Sequence, residues 1–80
     1  MLIIDVTQED IELGIRSDCY YCPIAIAIKR VTEELQIEVY PNKILMGHRI
    51  YQIPVIAKLA IIRYDIYFEK MIPFTFALLD

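Results

Sequence analysis

An α+β domain is what this chain predicts, and three observations carry that expectation. Ile24, Ile28, Val31 and Leu35 recur at helical steps of four, three and four, the spacing of one apolar face. Residues 36–40 and 74–79 alternate in character, the period of a strand with one covered side. Thr7 with Asp10, and Cys22 with Pro23, are helix-start chemistry placed just ahead of apolar runs.

Taken in order, residues 2–6 are apolar with β-branched members and predict a strand. Thr7-Gln8-Glu9-Asp10 forms a capping box with Asp in place of the usual Glu or Gln. Its acids suit the positive end of a helix dipole. A short helix over 8–13 follows, held to the core by Ile11, with Gly14 expected as a left-handed C′ residue. Pro23 then opens a helix over 23–35, supported by Lys29–Glu33 and Arg30–Glu34 pairs at i,i+4.

Residues 36–40 predict a half-buried strand, and Pro41-Asn42-Lys43 a turn. Residues 44–52 are strand-like again, interrupted by Gly47-His48 as a bulge or a second tight turn. Pro54 opens a third helix, whose apolar residues include Ile56, Leu59, Ala60, Tyr64 and Tyr67, while Lys58, Asp65 and Glu69 share one polar side; Ile62 falls on that side, so the amphipathicity is imperfect. Pro73 stops the helix, and residues 74–79 form a last strand with Phe74, Phe76 and Leu78 on one face. The resulting order is β-α-β-β-α-β, the plan of ferredoxin-like split folds, with an antiparallel-rich sheet and helices on one face.

Composition limits function. The chain has 80 residues, 58% hydrophobic and 24% charged, with two glycines and four prolines. It is too apolar for a disordered tail and long enough for one domain over 1–80. The first 18 residues carry five acids and one base, and the N-terminus lacks the basic start of a signal peptide. The longest uncharged run near the cysteines, residues 19–28, is too short to span a bilayer. A cytoplasmic protein without a membrane segment is expected. The net charge of −3 disfavours nucleic acid. Lys43, His48 and Arg49 flank the hairpin beside Tyr40 and Tyr51, but the glycine–aromatic strand motif of RNA-recognition modules is missing.

Chemistry-bearing residues are few. Asp18-Cys19-Tyr20-Tyr21-Cys22-Pro23 sets a C-x-x-C just before a helix, where a helix N-terminus lowers a thiol pKa. The arrangement resembles that of glutaredoxin, with departures: Pro23 follows the second cysteine instead of sitting between the two, the strand and helix order differs, and no closing helix follows the last strand. The other reading is that Cys22 caps the helix and both thiols pack as small hydrophobes. Cys19, Cys22 and His48 are three ligands where zinc takes four; Asp18 or a second copy would have to complete a set, and no metal or other cofactor is expected. Ser17 and His48 are the single Ser and the single His, with no nucleophile elbow, oxyanion signature or phosphate loop. No enzyme is expected. Six tyrosines and no tryptophan exceed what so small a core accommodates, and tyrosine is a frequent interface anchor.

Thr7-Gln8-Glu9-Asp10-Ile11-Glu12-Leu13-Gly14, the run Asp18 to Ala27, and the pair of Tyr64-Asp65 with Pro73-Phe74-Thr75-Phe76 together resemble a group of short uncharacterised bacterial and phage proteins. They share a T-x-E-D-I-x-x-G turn and a D-C-x-x-C-P-I-A-x-A helix start. The resemblance implies a bacterial or phage setting and carries no activity. The expected function is a protein-interaction module, an adaptor or an inhibitor of a host protein, that forms a homodimer. Tyr40, Tyr51, Phe74, Phe76 and Leu78 are the expected interface. The alternative is a thiol-redox or metal-binding protein using Cys19 and Cys22.

Overall fold

The computed structural model describes residues 1–79. The elements are β1 (Leu2–Val6), α1 (Gln8–Leu13), α2 (Pro23–Thr32), β2 (Ile37–Tyr40), β3 (Lys43–Met46), β4 (Arg49–Gln52), α3 (Val55–Asp65) and β5 (Phe74–Leu78). The α+β class is as expected. The strand plan differs from a ferredoxin-like split fold, because the strands divide between two antiparallel sheets. β1 pairs with β5 in the register Leu2↔Leu78 to Val6↔Phe74, while β2, β3 and β4 form a local meander. The extra strand of the meander comes from Gly47-His48. This pair acts as a full turn, with Gly47 at φ 59° in the first position of a two-residue hairpin loop, a place that asks for glycine. The run 44–52 therefore folds back on itself and contributes two strands to one sheet.

Local chemistry sets the helix starts. Thr7 Oγ accepts from Asp10 N–H at 3.2 Å, and Asp10 Oδ2 accepts from Thr7 N–H at 2.9 Å, closing the capping box. Cys22 Sγ accepts from Ala25 N–H at 3.4 Å, and Pro23 follows at the first helical position. Gly14 differs from expectation. Its backbone is extended, at φ −71° and ψ 151°. Glycine is required there by proximity: a Cβ would lie within 2.7 Å of the Pro23 nitrogen and closer still to its ring carbons.

α2 is the packing centre. Ile24, Ala25, Ala27 and Ile28 are fully buried, against Ile4, Ile37, Ile44, Ile61 and Leu78 in one cluster. The helix ends three residues earlier than the apolar spacing predicts. Thr32 Oγ donates to the Ile28 carbonyl at 2.7 Å and accepts from Glu34 N–H at 3.2 Å, and Glu33 turns left-handed at φ 61°. Leu35 is consequently 83% exposed and Val31 is exposed. The expected i,i+4 pairs give way to tertiary ones. Lys29 Nζ donates to the Tyr20 carbonyl at 2.7 Å and lies 4.2 Å from the Tyr21 ring centroid. Arg30 grips the buried carboxylate of Asp10 through two nitrogens, at 3.2 and 2.9 Å, and also donates to the Asp5 carbonyl. One guanidinium thus ties β1, α1 and α2 together.

Candidate functional site

Three regions hold the residues singled out from the sequence. The first is the cysteine loop, residues 14–22. It is pinned at both ends by backbone bonds, Ile15 N–H to the Tyr21 carbonyl and Val39 N–H to the Cys19 carbonyl, both 2.8 Å. It is clamped to the end of α3 as well. Arg16 Nε donates to the Tyr64 carbonyl at 2.6 Å, and its guanidinium lies 4.4 Å from the Tyr64 ring and 5.1 Å from the Phe68 ring. A cation at a helix C-terminus is favoured by the dipole, and flanking rings add cation–π attraction.

Cys22 is buried, and burial pushes its thiol up to about 11 despite the helix N-terminus beneath it. At neutral pH it is a protonated cap and a poor nucleophile. Cys19 is half-buried beside a cleft of about 380 Å3 that it shares with Ser17, Tyr40, Ile61 and Asp65. The polar groups there are already engaged. Tyr40 Oη donates to Glu38 at 2.5 Å, and Asp65 Oδ1 accepts from Ser17 N–H at 3.0 Å. The hydrogen bond to the Glu38 carboxylate raises the Tyr40 phenol above its ordinary value, and the Glu38 charge likewise raises Tyr20. Asp18, the candidate fourth ligand, instead closes a turn by accepting from the N–H groups of Tyr20 and Tyr21. Among the described residues no group of three or more His, Cys, Asp or Glu side chains is placed to hold a metal ion.

The second region is the hairpin meander and the last strand. The five expected interface residues separate here. Tyr51, Phe76 and Leu78 are buried in the core, so their side chains are not a contact surface. Alternation in β5 does set one face, but Phe76 and Leu78 on that face lie in the hydrophobic core. Phe74 and Tyr40 are half-buried; the Phe74 and Phe76 rings stack at 5.8 Å, and Lys43 lies 5.7 Å from the Tyr40 ring. His48 is exposed at the turn, facing a shallow cleft with Glu34 and Arg49.

The third region, α3, is where the sequence reading failed most. The helix buries Ala57, Ile61 and Tyr64. Of the apolar residues named from the sequence, Ile56, Leu59 and Tyr67 are exposed, Ala60 is half-buried, and only Tyr64 is buried. Apolar residues run around the whole helix, so periodicity does not select a face. The outer surface consequently carries Val55 at 72%, Ile56 at 52% and Leu59 at 47% exposure. Beyond Asp65 the chain closes with a bond from Glu69 N–H to the Arg63 carbonyl, 2.9 Å, with Phe68 left-handed at φ 55°; this is the closure that glycine usually serves. It leaves Ile66, Tyr67, Phe68 and Ile72 exposed as well.

This exposure is not the product of an open shape. The accessible surface is 5140 Å2, against about 5000 Å2 for a folded monomer of this mass. The fold is closed, and its exposed large apolar residues, which also occur elsewhere (Ile3, Leu35 and Ile50 among them), recur along α3 and the 66–72 segment. Between α3 and the 70–74 segment runs a groove of about 220 Å3. Among the described residues no helix is long and apolar enough to cross a membrane. Compared with protein-family models, curated proteins and solved structures, the chain matches none.

Proposed function

We propose that this protein is a small interaction module that presents the outer face of α3, with the adjoining 66–72 segment, to a partner protein. The observation that carries this reading is a helix whose apolar residues run round its circumference, interrupted by Lys58 and Arg63, and whose own fold covers only the side of Ala57, Ile61 and Tyr64. A helix of that character is normally buried all round, and a contiguous apolar surface on a closed small domain marks a contact site. The contact residues so assigned are Val55, Ile56, Leu59 and Ile72, in place of the tyrosines and the β5 core residues. The resemblance to short bacterial and phage proteins supports a bacterial or phage setting; the role read into that setting is a cytoplasmic adaptor or an inhibitor of a host protein. A homodimer would use the same face. The redox or metal reading of Cys19 and Cys22 has less behind it, because Cys22 is a buried cap and Asp18 is engaged in a turn.

The test is site-specific photo-crosslinking in bacterial cells, with benzoylphenylalanine placed at position 59 and, as a control, at the exposed Glu12 of α1. Adducts are expected from position 59 and not from position 12. Equal yields from both would overturn the assignment. An adduct of twice the protein's own mass would identify a second copy as the occupant.

A further inference from the structure

We infer that the groove between α3 and the 70–74 segment takes an acidic, amphipathic segment of the partner protein. This rests on the reading of α3 as a contact surface and names the chemistry that the surface selects. Ile56, Leu59, Ile72 and Phe74 supply the apolar lining, and Arg63 and Lys70 stand on its two walls, one on α3 and one on the facing segment. No acid lines it, although the chain as a whole carries a net charge of −3. Its volume of about 220 Å3 falls below the roughly 300–1,000 Å3 of small-molecule sites and suits an anchoring side chain or two from a protein segment.

The charge argument depends on which cations are already engaged. Arg16 is bonded to Tyr64, Lys29 to Tyr20 and Arg30 to Asp10, and Lys43 lies over Tyr40. Arg63 and Lys70 are exposed, and neither side chain has a hydrogen bond or ion pair with any described residue. Lys58 is likewise unengaged among the described residues but stands outside the groove; the other two unengaged cations, Arg63 and Lys70, bracket the apolar floor. A helix with apolar anchors at i, i+3 and i+4 and carboxylates on its flanks matches that pattern; like charge would be repelled.

Two short synthetic amphipathic peptides provide the test. They share one leucine stripe and differ only in glutamate or lysine flanks, and binding of each is read by fluorescence anisotropy at low salt. The glutamate peptide is expected to bind at least about tenfold more tightly than the lysine peptide. The R63E/K70E double variant should reverse the preference, and Leu59→Glu should remove binding of both. All three substitutions are at exposed positions, and circular dichroism verifies that the fold is kept. Equal binding of the two peptides, binding of neither, or a double variant that still prefers the glutamate peptide overturns the inference. Crosslinks from position 59 without a charge preference would remove the acidic specificity alone. Absence of both would remove the contact surface too.

Discussion

α2 and α3 begin alike and end up doing different work. Each follows a proline-containing start and runs ten or eleven residues, and each is rich in isoleucine and alanine. α2 has a sharp division. Its inner residues, Ile24, Ala25, Ala27 and Ile28, are fully buried, and its outer cations are drawn into the fold, Lys29 on the Tyr20 carbonyl and Arg30 on Asp10. α3 has none. It buries Ala57, Ile61 and Tyr64, leaves Val55, Ile56 and Leu59 in solvent, and carries an Arg63 side chain that the fold does not use. Folding accounts for the first helix apart from the exposed Val31, and for half of the second. A contiguous apolar surface on a small domain marks a contact site, and the exposed apolar residues of α3 are the basis of the contact proposed above.

The sharpest way to break the comparison is at the centre of α2. Ile28 is wholly buried, so Ile28→Ala should cost about 2–5 kcal/mol through lost burial and a residual cavity. In a domain of this size that is a large share of the total. Urea unfolding at neutral pH measures it. A loss under about 0.5 kcal/mol, the range of surface substitutions, would mean that α2 is not the packing centre.

What could be read from the sequence follows the range of the interactions involved. The Thr7–Asp10 capping box and the Cys22-Pro23 helix start were legible because each is closed within three residues. So was the alternation that turns Phe76 and Leu78 to one face. Three things were not. The end of α2 depends on Thr32 bonding both to Ile28 and to Glu34, which the continuing apolar spacing of Val31 and Leu35 conceals. The number of strands in the meander depends on whether Gly47 bends a strand or reverses it, and glycine serves either. The inward face of α3 depends on which of several equally apolar faces meets β5 and the meander, a tertiary choice. The same ambiguity displaced the candidate site. Tyr51, Phe76 and Leu78 were expected to be contact residues because they are aromatic or apolar, yet they are buried, and Ile56 and Leu59 are among the apolar residues left exposed.

A second, smaller effect probes the charge on α2. Burial by itself pushes the Asp10 carboxyl up, but hydrogen bonds from Arg30 and Thr7 outweigh it and hold the group below the usual carboxylate range. The folded state therefore binds this proton less readily than the unfolded chain. Its contribution to stability is present at neutral pH, begins to fall as pH drops toward about 4, and is lost as pH passes below the depressed folded value. Asp10→Asn should cost about 1 kcal/mol at neutral pH and flatten that acid limb. Urea melts of both proteins at neutral pH and at about pH 3 give the difference. A variant with the same acid slope as the parent would show that Arg30 and Asp10 do not stabilise the charged form, and the contrast with the unengaged Arg63 would lose its basis.

The smallest expected effect is the most informative about α3. Leu59 is about half exposed, and its outer half touches only solvent in the isolated chain. Replacing it with glutamine keeps a helix former of similar length and removes little buried apolar surface. Leu59→Gln should therefore change unfolding stability by less than about 0.5 kcal/mol, while lowering the apolar surface that a dye such as ANS detects in the folded state. Urea melts with ANS fluorescence on the same samples read both quantities. A loss of 2 kcal/mol or more, of the size seen for buried leucines (about 2–5 kcal/mol), would place Leu59 in the core and return α3 to the pattern of α2. An unchanged stability combined with reduced dye binding would leave the residue with no role inside the fold, so that its apolar character answers to something outside it.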